Sequence, residues 1–76
     1  MMSTRRYMIV IEGAPASNYS AYAPDLPGCV ATGRTLEDCQ REMSSAVAFH
    51  IEGLREAGEA IPEPSEVTAA FISVAA

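Results

Sequence analysis

The sequence has no lysine. Its five bases are all arginine (Arg5, Arg6, Arg34, Arg41 and Arg55) and face ten acids, for a formal net charge of −5. An acidic surface repels phosphate, so this balance argues against stand-alone nucleic-acid binding and suits a basic protein partner. The same charge also serves plain solubility. Cysteine is scarce. Cys29 falls in an expected strand and Cys39 in an expected helix, with no CxxC or Cys/His spacing around either. That excludes a disulfide framework and argues against a zinc site. The two thiols read as reduced, half-buried small hydrophobes of a cytoplasmic protein. Long apolar runs are missing too. Met1-Met2-Ser3-Thr4-Arg5-Arg6-Tyr7 leads into a run that stops at Glu12. This is too short for a signal-peptide core or a membrane span, so the expected location is the cytoplasm, with no membrane partner. Neither an internal repeat nor a low-complexity tract occurs, and no linker divides the chain.

With 76 residues, the expectation is one domain over residues 1–76. A domain of about 60 residues buries only roughly 60% of its unfolded surface, so a chain of this size needs help from a metal, a disulfide or self-association. Arg5 to Glu12 reads as a first strand, apolar on both faces: Tyr7, Ile9 and Ile11 on one, Met8 and Val10 beside Glu12 on the other. Residues 13–18 form a turn by composition, and Tyr19 to Ala23 is an antiparallel second strand. Pro24-Asp25-Leu26-Pro27-Gly28 interrupts regular structure. Two prolines remove two backbone donors, and Gly28 permits a positive φ. Cys29 to Thr32 is a short third strand.

Thr35-Leu36-Glu37-Asp38 resembles a capping box, with Asp38 where Glu or Gln is usual. Leu36, Cys39, Met43, Ala46, Val47, His50, Ile51 and Leu54 then recur on one helical stripe. Gly58 is placed to end the helix as its C′ residue. The expected length is about 22 residues, roughly 33 Å. After a linker containing Pro62 and Pro64, Val67 to Val74 reads as a fourth strand. The order is β-β-β-α-β, an α+β fold. A right-handed crossover places the fourth strand parallel to the first, in sheet order 3-2-1-4 with the helix on one face. The other face is left for a dimer, a tetramer or a partner protein to cover.

The stretch Tyr22-Ala23-Pro24-Asp25-Leu26-Pro27-Gly28-Cys29 resembles the "y-x-PDLPGC" signature of the HicB-like antitoxin family. Three further segments agree in order. Tyr7-Met8-Ile9-Val10-Ile11-Glu12 looks like the family's first strand. Gly33-Arg34-Thr35-Leu36-Glu37-Asp38 and His50-Ile51-Glu52-Gly53-Leu54 look like the ends of its helix. Gly58-Glu59-Ala60-Ile61-Pro62-Glu63-Pro64-Ser65 looks like its "G-x-x-I-P-x-P-S" tail. The resemblance runs from Tyr7 to about Val74. It implies a reduced ribonuclease-H-like fold and a non-enzymatic role in a bacterial toxin–antitoxin system. HicB proteins silence HicA, a small basic ribonuclease that cleaves mRNA. Many members add a C-terminal DNA-binding segment, which this sequence does not show after the fourth strand.

The residues singled out for partner binding are Glu12, Tyr22, Pro24, Asp25, Leu26, Pro27 and Gly28. Glu12 and Asp25 are acids at strand ends, placed to meet a basic surface, although Asp25 also suits an Asx-type turn before Gly28. The prolines and Gly28 shape a rigid loop, which binds at less entropic cost. No catalytic residue, cofactor or metal site is expected. His50 lies on the apolar stripe, and Ser44, Ser45 and Glu52 form no recognisable triad with it. Cys29 as a nucleophile lacks a second histidine. A two-metal nuclease needs carboxylates at the centre of the first strand, where Met8-Ile9-Val10 stand instead. Two functional readings follow: an antitoxin module covering a HicA-type ribonuclease, and a solitary oligomeric HicB-like domain with a structural or regulatory role and no cognate toxin. With its negative charge and no recognition helix, this chain alone should show no affinity for duplex DNA at physiological salt. Gel retardation with operator DNA checks this, and a sequence-specific shift contradicts it.

Overall fold

The structure is a computed structural model that describes residues 4–76. Met1 to Ser3, read above as part of a stretch too short for a leader, lie outside the described residues. Three antiparallel strands are followed by one long helix: β1 (Val10–Glu12), β2 (Tyr19–Tyr22), β3 (Val30–Gly33) and α1 (Leu36–Glu56). The sheet order is β1-β2-β3. In β1, Val10 faces Tyr22 and Ile11 faces Ala21. Across the second ladder Tyr22 faces Val30 and Ala21 faces Ala31.

Directly opposed residues in a sheet share a face, so this register sorts the side chains into rows. Ile11, Ala21 and Ala31 form the row under the helix and pack into the core. Val10, Tyr22 and Val30 form the next row, on the open face. There Val30 is 65% exposed and Tyr22 44% exposed. The core joins Ala21, Ala23, Leu26 and Cys29 from the sheet side to Cys39 and Met43 from the helix, with Tyr7, Ile9, Val47 and Ile51 packed around them. Leu26, Cys39 and Met43 are fully buried. Burying a side chain the size of Leu26 or Met43 contributes about 1.5–3 kcal/mol.

The helix starts and stops where its end residues satisfy the unpaired backbone groups. Thr35 is the N-cap in an extended conformation, and its hydroxyl accepts the Asp38 N–H at 3.0 Å. Asp38 departs from the capping-box expectation in that its carboxylate pairs with Arg41 at 3.1 Å. At the far end the Gly58 N–H donates to the Arg55 carbonyl and the Glu59 N–H to the Leu54 carbonyl. Gly58 sits at φ +71°, which makes this a Schellman termination.

The expected fourth strand is not formed. Residues 67–74 are exposed and form no strand, so the 3-2-1-4 order reduces to 3-2-1 among the described residues. Strong β propensity does not make a strand unless its backbone groups find a ladder partner, and here the segment has none. The first strand is also shorter than expected, because only Val10 to Glu12 find ladder partners on β2.

Gly33 shows how closely α1 seats on β3. A Cβ built there would lie 2.7 Å from the Cys39 Cα and 2.9 Å from the Asp38 carbonyl carbon, both backbone atoms that cannot rotate away. Gly53, in the last turns of α1, has open space around it. Gly33→Ala should therefore lower stability by about 1–3 kcal/mol through overpacking. Gly53→Ala should raise it by about 0.5–1 kcal/mol by removing a flexible helix residue. Urea denaturation of the two variants checks both signs.

Candidate functional site

The loop between β2 and β3 is built as two consecutive turns. The Leu26 N–H donates to the Ala23 carbonyl at 3.0 Å, with Pro24 first of the two central residues. The Cys29 N–H then donates to the Leu26 carbonyl at 3.0 Å, with Pro27 and Gly28 at the centre. Gly28 has φ +84°, the value a type II turn needs at its third position, and Pro27 supplies the preset φ at the second. The Ala23 N–H closes the loop onto the Cys29 carbonyl at 3.3 Å. Leu26 points inward as the plug under the loop and has no exposed surface, whereas Pro24, Pro27 and Gly28 are exposed.

Asp25 does more than shape its own turn. Its carboxylate accepts the Ser65 N–H at 2.9 Å and also the Ser65 hydroxyl, forty residues away in the chain. The two Ser65 bonds, the hydroxyl's first, hold the Asp25 carboxyl below its ordinary value. Two further contacts fasten the same linker. The Tyr7 hydroxyl donates to the Pro62 carbonyl at 2.6 Å, and Arg5 pairs with Glu63 at 3.2 Å. The linker is thereby stapled along the segment before β1 and under the loop. The composition of the linker showed a breaker. Its pairing with Asp25 had no local signal, because the two partners meet only in three dimensions.

Of the partner-binding candidates, Leu26 is withdrawn from any contact surface by its complete burial, and the other six divide into two groups. Tyr22, Pro24, Asp25, Pro27 and Gly28 gather at one end of the sheet, continuous with the open-face row of Val10 and Val30. Glu12 stands apart. It pairs with Ser20, two positions along β2 from Tyr22, toward the β1–β2 turn. Val10 and Val30 were not singled out from sequence, since only the strand register sets them beside Tyr22. A second exposed groove runs between β3 and the end of α1, lined by Gly28, Val30, Phe49, His50 and Leu54. His50 is half-buried on its wall.

Nothing in this arrangement aligns a nucleophile with a base. Cys29 and Cys39 are free and buried, and burial pushes the Cys29 thiol up, away from the reactive thiolate. Among the described residues no group of three or more His, Cys, Asp and Glu is placed to hold a metal ion, and no helix is long and apolar enough to cross a membrane. What the site offers is a rigid loop, one carboxylate and a small apolar row.

The Asp25–Ser65 contact makes a pH-dependent contribution. The folded-state pKa lies below the ordinary value of 3.8, so the stabilisation is fully present above that value and is lost as pH falls through the lowered one. Acid unfolding of Asp25→Asn should lose part of the steepness seen for the unaltered protein below that pH. Superimposable acid-unfolding curves would remove this carboxylate from the balance.

Comparison with known proteins agrees with this geometry. The fold matches the crystal structure of the N-terminal domain of the Burkholderia pseudomallei antitoxin HicB with a TM-score of 0.62 and 30% identity, over 83% of this chain and 69% of that one. An uncharacterized 14.9 kDa protein from the rep-hol intergenic region of Haemophilus phage HP1 is 36% identical over 61 residues, which are 80% of this chain. The chain spans 45% of the length of that phage relative. Residues 7–73 match the family model described as the HicB-like antitoxin of bacterial toxin–antitoxin systems. That match takes in both halves of the Asp25–Ser65 contact, and the chain belongs to the HicB-like antitoxin family.

Proposed function

We propose that this chain is the binding module of an antitoxin and neutralises a small basic HicA-type mRNA-cleaving ribonuclease by covering it. Family membership supports the antitoxin role. The observation that carries the finer reading is the loop at residues 24–28, which combines a fixed backbone with a half-exposed carboxylate on a chain of net charge −5. A preorganised loop loses little entropy on binding, and an acidic surface steers a basic partner toward it. Asp25 uses its Ser65 bonds to hold one orientation, and a carboxylate offers about four acceptor positions, so room remains for an incoming arginine. Pro24, Pro27, Gly28 and Tyr22 frame that carboxylate, and Leu26 holds the loop from below. Glu12, at the other end of β1, extends the acidic surface rather than completing the loop site. The module works by occlusion and catalyses nothing, in the cytoplasm.

A second reading has its own observation. Val30, Phe71, Ile72 and Val74 are apolar and exposed, which suits a solitary oligomeric domain with a structural or regulatory role. The two readings part on a basic ribonuclease encoded beside this gene. Its presence, together with relief of its growth arrest by this chain, supports the antitoxin.

Asp25 itself is tested by two variants against that toxin. Asp25→Ala removes both the charge and the Ser65 contact. Ser65→Ala removes only the hydroxyl bond and leaves the carboxylate in place. If Asp25 pairs with a toxin cation, Asp25→Ala weakens the complex by about 1–3 kcal/mol while Ser65→Ala costs a small fraction of that. Equal losses in titration calorimetry would assign Asp25 to holding the linker alone.

A further inference from the structure

We infer that residues 67–74 are an exchange arm, received along the open edge of β1 by a second copy of this chain. The first observation is shape. The radius of gyration is 14.5 Å, where a compact chain of this length has about 11 Å. The surface is 6169 Å², against roughly 4,500 Å² for a compact 8.1 kDa protein. The excess from one copy alone is about the total area buried in a standard stable interface. Much of it is apolar arm: Phe71 is 104% exposed, Ile72 85% and Val74 80%.

The arm's composition is that of an interior strand. Val67, Ala69 and Phe71 alternate with Thr68, Ala70, Ile72 and Val74, so both faces are apolar, and residues 67–76 carry no charge. A second copy with the same net charge of −5 can accept it without bringing like charges together. β1 shows the complementary defect. It reads as an interior strand, with apolar residues on both faces, yet it lies at the edge of the sheet. Between the charges of Arg6 and Glu12, residues 7–11 hold no charge or proline of the kind that blunts an edge. β3, the other edge, alternates between exposed and half-buried residues, as an edge strand does. Eight arm residues span roughly 26 Å when extended, the same reach as the eight from Arg5 to Glu12.

The hinge fixes where the arm leaves the body of its own copy. Tyr7, Arg5 and Asp25 hold Pro62, Glu63 and Ser65 in place. Pro62 and Pro64 fix two φ angles within that stretch. Only Glu66 then separates the last fastened residue from the arm, so the root of the arm is fixed, and beyond it the arm makes no ladder with its own β1. The arm root lies beside Arg6, Tyr7 and Met8, across an open groove. A reciprocal exchange gives each copy its missing strand through one isologous interface, which closes at two copies.

Light scattering at micromolar concentration reads the result directly. The unaltered protein should have twice the 8.1 kDa chain mass. Phe71→Asp should have the single-chain mass while keeping its helical circular dichroism. A single-chain mass for the unaltered protein, or a double mass for a folded Phe71→Asp, overturns the proposal. Should Phe71→Asp lose its helix signal, isotope-filtered NMR on a mixed-label sample of the unaltered protein decides. Contacts from the Phe71 ring to Met8 or Val10 between copies support exchange. Contacts only within one copy, or none to β1, overturn it.

Discussion

One helix can cover only one face of a sheet, and this constraint organises the rest of the molecule. Ile11, Ala21 and Ala31 are buried because α1 lies over them. The small side chains of Ala21 and Ala23, and the missing side chain of Gly33, let the helix come close enough for Cys39 and Met43 to be fully buried. The adjacent row of Val10, Tyr22 and Val30 has no such cover. In so short a chain the area left over is large compared with the area buried, so exposed apolar surface is built into the architecture.

The second organising contact is the carboxylate of Asp25. It joins two segments that resemble family motifs for what look like separate reasons: a proline-glycine loop and a proline-serine linker. Together they form one device. The loop is fixed by its own turns and by Leu26 beneath it, and the linker is fastened to the loop and to the chain ahead of β1. Being charged, Asp25 can hold Ser65 and still present acceptors outward. One residue can thus set the loop's shape and face a partner, so structural and binding roles need not compete for it.

The thiols are buried, the histidine is half-buried near the helix end, and among the described residues the carboxylates form no metal-holding group. Membership of the HicB-like antitoxin family fits a protein that acts by contact. Exposed apolar side chains and the rigid loop concentrate at residues 24–28, on the open sheet face and along residues 67–74.

Local pattern was enough to determine much of this by itself. The apolar stripe, Thr35 and Gly58 set the helix and its ends, because caps and periodicity act within a few residues. Pro27 followed by Gly28 determined a tight turn, because each fixes a backbone angle on its own. The first three strands and their antiparallel order were legible from alternation and short loops. What only the tertiary structure decided depends on distant partners. Val67 to Val74 has a strand's composition and, among the described residues, no strand's pairing, since a ladder needs a neighbour that composition cannot supply. Glu12 and Asp25 fall at different ends of the sheet because register, not sequence distance, places them. Asp25 found Ser65 across forty residues of chain, and no local signal encodes that meeting, because folding alone brings the two together.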